Sequence, residues 1–325
     1  LMMNPFSWLQ MTNMISYQGL VRTFLSGLEM ETISSPKNKF IMERGAGSIN
    51  FDHDQFLVED LLDENSLAGF YGPSGSRKSF IIMDIACRIA SGKKWQGREV
   101  KHGAVIYVAA EGSNGMKKRM HAWINKYNDG HDLDNLYRIS QPIFVSQPQV
   151  VTDLILATKN VQEETNLPVR LIVIDTLARS FIGNENSAED MGKFIAGCDE
   201  IKCKTGATIL IVHHTGKDLG QGARGAYSFK AALDSEYFIA KIEGNDALTT
   251  KLECTKNKEG SDGLKMEINL KIEAIGKTTK GKTIDTLVVI DRDSRLVGAQ
   301  NTRKDKNIQP PCENKKTKAI VDENF

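Results

Sequence analysis

Eight consecutive residues have the types and spacing that bind phosphate groups. The segment GPSGSRKS matches the pattern G-x-x-x-x-G-K-[ST] at every fixed position except the second glycine, which is replaced by Arg77. In this pattern the backbone N–H groups of a glycine-rich loop surround phosphates, the lysine reaches the β- and γ-phosphates, and the hydroxyl residue binds Mg²⁺. The segment therefore predicts a binding site for ATP and Mg²⁺, formed by Gly72, Pro73, Ser74, Gly75, Ser76, Arg77, Lys78 and Ser79.

Arg77 predicts that this site is weakened. A glycine at this position lets the backbone pass close to the phosphates, and a β-carbon occupies space that the nucleotide needs. Backbone strain of about 1–3 kcal/mol would weaken ATP binding roughly 5- to 150-fold, and direct overlap with a phosphate would cost more. Attraction between the Arg77 charge and phosphate, about 1 kcal/mol, offsets this only in part. We therefore expect weak or absent ATP binding, which Arg77→Gly restores.

Further polar residues follow apolar segments that predict buried strands. Asp175 ends the run LIVID, Glu111 follows AVIYVAA, and His213 and His214 end a third run. In open α/β sheets the carboxyl ends of the strands meet where ligands bind. Asp175 is a candidate to hold Mg²⁺ with Ser79, and Glu111 is a candidate to orient and deprotonate the attacking water. A surface glutamate before a glycine turn is the alternative for Glu111.

The two adjacent histidines do not favour a metal site. Neighbouring residues of a strand point to opposite faces, so they rarely bind one ion. We expect one histidine to face the nucleotide and the other to pack in the protein interior.

The elements that must position these residues alternate between strand and helix from residue 55. This rhythm predicts an α/β fold with a mostly parallel sheet flanked by helices, and antiparallel β structure follows beyond residue 235. We also expect a short strand at Ile143–Val145, and a helix capped by Ser187 with Asp190. Three regions are predicted: an N-terminal arm or linker (1–50), an ATPase domain (51–300) and a disordered polar tail (301–325).

Composition limits the classes of partner. The 325 residues carry 42 basic and 41 acidic side chains, for a net charge of +1. No overall field therefore attracts nucleic acid, and any DNA binding must come from local charge. Because no apolar run approaches 18 residues, no membrane span is expected. The five cysteines include no CxxC pair, and this usage indicates a reduced, cytoplasmic protein.

Five segments, in the same order along the chain, resemble the RecA-like ATPases of the RepA-type plasmid and phage replicative helicases. They span roughly residues 55–260 and read GPSGSRKSF, YVAAEG, LIVIDTLARS, IVHHTGKD and ARGAYSFKAALDSEY. Ala226 and Tyr227 depart from the small hydroxyl residues usual after the RG pair. The resemblance implies a ring-forming, hexameric ATPase that binds ATP between subunits and translocates on single-stranded DNA.

The resemblance also implies roles for individual residues. Lys78 and Ser79 match the phosphate and Mg²⁺ positions, Glu111 the catalytic carboxylate, Asp175 the Walker B acid and His214 the γ-phosphate sensor. The cations that would reach a neighbouring subunit's phosphates, in an arginine-finger role, are Arg224, Lys256 and Lys258.

Lys217 is the leading candidate for DNA contact, with Lys117, Lys118 or the C-terminal tail as alternatives. A primase or a replication initiator is a possible further partner. Two other functions stay open: a nucleotide-binding-defective relative that acts in assembly or DNA loading, and a recombination-type filament ATPase.

Overall fold

A nine-stranded sheet forms the centre of the protein in the computed structural model. The structure describes residues 55–215, 227–242, 244, 248–260 and 263–291. The predicted N-terminal arm and polar tail lie outside the described residues. No helix in the described part of the chain is long and apolar enough to cross a membrane.

The strand order of the large sheet is β11-β10-β9-β8-β3-β7-β6-β4-β5, and β1 and β2 form a separate antiparallel pair. The strands from β8 to β5 in this order run parallel, whereas β9, β10 and β11 are antiparallel additions. The predicted α/β fold class is thereby confirmed. The strands are β1 (Phe56–Val58), β2 (Leu62–Asp63), β3 (Leu67–Gly72), β4 (Ala104–Ala109), β5 (Leu136–Ile139), β6 (Val169–Asp175), β7 (Thr208–His214), β8 (Ser235–Lys241), β9 (Thr249–Asn257), β10 (Lys265–Lys277) and β11 (Thr283–Ile290).

Helices cover both faces of the parallel strands. Residues of α1 and α2 belong to one apolar core, and residues of α3 and α5 belong to a second core on the other face. Burial on both faces explains why β6 reads as an unbroken apolar run from Leu171 to Ile174 rather than alternating with polar residues. The helices are α1 (Lys78–Ser91), α2 (Ser113–Tyr127), α3 (Pro148–Thr165), α4 (Leu177–Ser180), α5 (Ala188–Thr205) and α6 (Tyr227–Ala232).

One predicted strand is wrong, and one predicted helix cap is present. Residues 143–145 form no strand, and the edge strand β5 lies several residues earlier. The apolar character of this segment serves packing instead: Val145 is fully buried, and its carbonyl lies so close to Gly197 of α5 that a β-carbon there would be 1.9 Å away. At the start of α5, the Ser187 hydroxyl accepts a hydrogen bond from the Asp190 N–H, as predicted.

The antiparallel extension leaves the sheet as a two-stranded ribbon. β9 pairs with β10 only from Lys265 to Asn269, while β10 continues to Lys277 with β11 as its partner. The alternating apolar residues of β10 are buried up to Leu270, but Ile272 is 58% exposed because it lies beyond β9. Since Asn269 pairs with Thr249, which lies beside the end of β8, the ribbon projects from the carboxyl edge of the parallel strands.

Candidate functional site

The phosphate loop connects β3 to α1 and depends on two glycines. A β-carbon on Gly72 would lie 2.0 Å from the Ile239 carbonyl oxygen of β8, so only glycine allows the two strands to approach this closely. Gly75 has φ +74°, in the left-handed region that glycine adopts at little cost. The loop then enters α1, which begins at Lys78.

Arg77 lies in the left-handed region in the loop, and its side chain points to β9. Its φ and ψ are 69° and 20°, a conformation that is costly for any residue with a β-carbon. The guanidinium Nη1 donates hydrogen bonds to the Thr249 carbonyl at 3.1 Å and to Thr250 Oγ1 at 3.4 Å. Arg77 thus ties the phosphate loop to the first residues of β9.

The Lys78 ammonium is folded back onto its own loop. It donates to the carbonyl oxygens of Gly72 at 2.8 Å and Pro73 at 2.9 Å, and the residue is only 5% exposed. Burial lowers the pKa of Lys78 to about 8, while the charges of Asp175 and Glu111 oppose that shift. The ammonium group therefore lies near both carboxylates.

Asp175 ends β6 and is held from two sides. The Tyr107 hydroxyl donates to Asp175 Oδ2 at 2.7 Å, and Ser79 lines the same cavity as the carboxylate. Burial raises the pKa of Asp175, whereas the neighbouring Ser79 and Tyr107 hydroxyls and the Arg119 charge lower it. A carboxylate near the Ser79 hydroxyl supplies the hard oxygen ligands that Mg²⁺ prefers.

A cavity of about 310 Å³ collects these residues at the carboxyl edge of the sheet. Because β7 lies between β3 and β6, it places His214 beside both the loop and Asp175. Burial and the nearby Lys78 charge lower the pKa of His214, so its neutral form is favoured. The cavity is lined by Gly75, Ser76, Arg77, Lys78, Ser79, Phe80, Glu111, Gly112, Arg119, Asp175, Thr176 and His214.

The two histidines have different surroundings. His213 is 1% exposed and packs edge-on against Phe229, with the ring centroids 5.9 Å apart. His214 is half-buried and lines the cavity. Only His214 is therefore positioned to contact a nucleotide in the cavity.

Arg119 and Thr176 are polar residues of the site that the sequence patterns described above do not indicate. Arg119 of α2 lies over the Phe80 ring, 4.2 Å from its centroid, and lines the cavity. Thr176 follows Asp175, and its buried Oγ1 has no hydrogen-bond partner among the described residues. The same holds for Ser76 Oγ in the loop. The position of Thr176 directly after a strand-end carboxylate is a usable sequence signal, but nothing in the α2 sequence distinguishes Arg119 from its basic neighbours.

Two of the predicted cations, Lys256 and Lys258, do not line the cavity. Lys256 donates to the carbonyl oxygens of Lys230 at 2.6 Å and Leu233 at 2.6 Å, at the end of α6. Lys258 donates to Asp234 Oδ1 at 2.9 Å. The register of β9 puts both lysines at the amino edge of the sheet, opposite the phosphate loop. Lys217 and Arg224 lie outside the described residues.

The residues around the cavity fit a magnesium nucleotide. Two buried hydroxyl groups without described partners, Ser76 and Thr176, line it together with a lysine, two arginines and two carboxylates. No group of three or more His, Cys, Asp or Glu side chains in the described residues would hold a metal by itself. Mg²⁺ would therefore be held by Ser79 and Asp175 together with phosphate oxygens.

The strand order, the phosphate loop and the carboxylate two strands away define the fold of a RecA-like P-loop ATPase. The sequence profile of the AAA domain family matches residues 44–220, more than half of the chain, and the protein belongs to this family.

Two individual likenesses accompany this match. The crystal structure of the RadB recombinase is similar at 13% identity with a TM-score of 0.47, over 71% of this chain and 92% of that one. Escherichia coli protein YghO is 88% identical over 25 residues, which are 8% of this chain and 6% of that protein. The chain thus spans only a small part of the length of this curated relative.

Proposed function

We propose that this protein is an ATP-driven motor of plasmid or phage DNA replication, a hexameric ring helicase that couples ATP hydrolysis to movement along single-stranded DNA in the cytoplasm. The observation that carries the proposal is the cavity itself. It unites the phosphate loop with Glu111, Asp175 and His214, the residues that the resemblance to RepA-type helicases assigns to hydrolysis.

Each of these residues has a distinct part in hydrolysis. The Lys78 ammonium exchanges the carbonyls of Gly72 and Pro73 for the β- and γ-phosphates of ATP. Glu111, exposed at the mouth of the cavity, accepts the proton of the attacking water. Neutral His214 donates a hydrogen bond to the γ-phosphate and senses its loss. Mg²⁺ would be held by Ser79 and Asp175 and would supply charge neutralisation for the phosphates.

Assembly is supported by the positions of Lys256 and Lys258. Because they lie at the edge opposite the cavity, they cannot reach the nucleotide of their own subunit. Stacking subunits head to tail would bring this edge toward the next subunit's cavity, where the lysines would act on its phosphates. A head-to-tail contact closes into a ring or continues as a filament, depending on its rotation. A recombination-type filament ATPase is therefore the second candidate.

Arg77 favours a third candidate, a relative that has lost nucleotide binding. Its left-handed backbone and its hydrogen bonds to β9 hold the loop in one conformation. If this conformation excludes phosphates, the protein serves in assembly or DNA loading.

ATP turnover with and without single-stranded DNA separates the candidates, when it is measured for the unmodified chain and for Arg77→Gly. DNA-stimulated turnover by the unmodified chain supports a motor, and mass measurement with electron microscopy then distinguishes closed hexamers from filaments. Turnover by Arg77→Gly alone supports the binding-defective relative. If neither protein hydrolyses ATP at any concentration, the motor proposal is overturned.

A further inference from the structure

The tip of the β10–β11 ribbon (residues 276–283) is exposed along its whole length. From Lys271 to Lys277, β10 pairs only with β11, and seven residues of strand extend about 23 Å. Backbone bonds close the turn: the Thr278 N–H donates to the Lys282 carbonyl, and the Gly281 N–H donates to the Thr278 carbonyl, both at 2.8 Å. The tip is thus a closed hairpin end that reaches into solvent.

The charge of this tip has a single sign. Its sequence, GKTTKGKT, contains three lysines and three threonines but no acidic residue. Within the part of the chain that the structure describes, Lys277, Lys280 and Lys282 make no ion pair. The amino-edge lysines Lys256 and Lys258, by contrast, are held by helix carbonyls and Asp234. Three cations without an ion-pair partner among the described residues, on a protein of net charge +1, form the kind of local concentration that an anionic partner requires.

The composition of the tip favours a phosphate backbone over a protein surface. Protein interfaces have apolar and aromatic residues at their centre and are depleted in lysine. Apart from its two glycines, the tip consists only of lysine and threonine. Lysine ammonium, threonine hydroxyl and backbone N–H groups are the donors that bind phosphate oxygens in nucleic-acid complexes.

We propose that the tip of the β10–β11 ribbon binds the phosphate backbone of single-stranded DNA through Lys277, Lys280 and Lys282. The choice of single-stranded DNA rests on the proposed function, and the contact itself rests on the ribbon. The ribbon projects from the edge that carries the nucleotide cavity, so DNA held there lies on the same side of the subunit as ATP.

The test compares two triple variants with the same change of charge. One carries Lys277→Gln, Lys280→Gln and Lys282→Gln. The control carries Lys159→Gln, Lys193→Gln and Lys204→Gln, which lie exposed on α3 and α5. Binding to a 30-mer of oligo(dT) is measured by fluorescence anisotropy over a range of salt concentrations, and thermal unfolding midpoints verify that both variants are folded.

Each phosphate contact on a single strand contributes about 0.7 to the slope of log K against log salt. Loss of three contacts should therefore reduce the slope by about 2 and weaken binding roughly 100-fold at 0.1 M salt, while the control stays near the unmodified chain. Equal weakening by both variants would show a general charge effect and overturn the proposal.

Other outcomes separate this proposal from the proposed function. If the unmodified chain binds oligo(dT) and the ribbon variant binds equally well, only the ribbon proposal fails, and the contact moves to Lys117 and Lys118 or to Lys217. Tighter binding of a duplex or of oligo(U) than of oligo(dT), lost in the ribbon variant, would replace single-stranded DNA as the partner. No binding of any nucleic acid would overturn both proposals.

Discussion

Two buried aspartates, one in a helix and one at the end of a strand, can be compared directly. Asp84 in α1 is 1% exposed, and Asp175 at the end of β6 is 6% exposed. Each accepts a 2.7 Å hydrogen bond from an aromatic side chain, Trp123 Nε1 for Asp84 and the Tyr107 hydroxyl for Asp175. Burial raises the pKa of both carboxyls. By these measures the two sites look alike.

Their remaining partners differ. Asp84 faces Arg88, which is also bound by Asp291 at 3.0 Å and lies over the Tyr127 ring, so the arginine of this cluster is held by the chain's own groups, although Asp84 Oδ2 has no hydrogen-bond partner among the described residues. Asp175 shares its surroundings with the phosphate loop and a cavity. Burial and a shifted pKa therefore mark ion-pair clusters and candidate sites equally. A candidate site differs from an ion-pair cluster because other polar groups line a cavity beside it.

The largest expected effect is a loss of stability when the ion-pair cluster of Asp84, Arg88 and Asp291 is broken. Arg88→Ala leaves the Asp84 carboxylate buried without its cation, and breaking a buried pair in this way costs about 3–5 kcal/mol of unfolding free energy. Urea denaturation measures the loss. Arg119→Ala is the matched control, because it removes an arginine from the cavity wall and should cost much less stability. Equal losses for both arginines would contradict the distinction between the two regions.

Asp175→Asn should instead lower the rate of ATP hydrolysis. Removing one preorganised charged group from a reaction site commonly lowers turnover roughly 10²–10³-fold. The unfolding free energy should stay unchanged or rise, since an amide costs less to bury than a carboxylate. Because Arg77 is expected to weaken ATP binding, steady-state turnover is measured in the Arg77→Gly background. A substantial loss of stability with retained turnover would make Asp175 a structural residue like Asp84.

The ionisation of Asp84 should make the free energy of unfolding depend on pH. Its folded-state pKa of about 6 lies above the ordinary value of 3.8, so the folded state retains a proton that the unfolded state releases. This contribution is fully present below pH 3.8 and is lost as the pH rises through 6. A shift of about 2 pKa units corresponds to at most roughly 3 kcal/mol. Asp84→Asn should remove this fall between pH 4 and 7 in urea denaturation, and parallel pH curves for the two proteins would disprove it.

Arg77→Gly should produce the smallest effect, an increase in ATP affinity of about 5- to 150-fold, or 1–3 kcal/mol. Isothermal titration of Mg-ATP measures it. Arg77→Ala separates the two causes, since it keeps the β-carbon but removes the hydrogen bonds to Thr249 and Thr250. If Ala binds as weakly as Arg, backbone strain is responsible, and if Ala binds like Gly, the tether is responsible. Micromolar binding by the unmodified chain, equal to that of the Gly variant, would refute the expectation.

Local patterns predicted more of this molecule than did features that depend on packing between distant segments. The phosphate loop is a contiguous motif, and Glu111, Asp175 and His214 were placed together because parallel strand ends share one edge. The hydrogen bonds of Arg77 join residues 172 and 173 positions apart, which no local pattern encodes. The apolar residues 143–145 suggested a strand, although Val145 instead packs against Gly197. Arg119 could not be distinguished from the other basic residues of α2 without its contact with Phe80.

Thr249 connects the phosphate loop to the base of the ribbon. Its carbonyl accepts from Arg77 in the phosphate loop, and its hydroxyl donates to Asn269 at the base of the ribbon, at 2.8 Å. A displacement of the loop would thus reach, through one residue, the root of the ribbon, which is about 23 Å long. A tilt of about 5° at that root would move the tip by about 2 Å. Arg77, the side chain that strains the phosphate loop, would then also couple a small movement of that loop to a larger displacement of the ribbon tip.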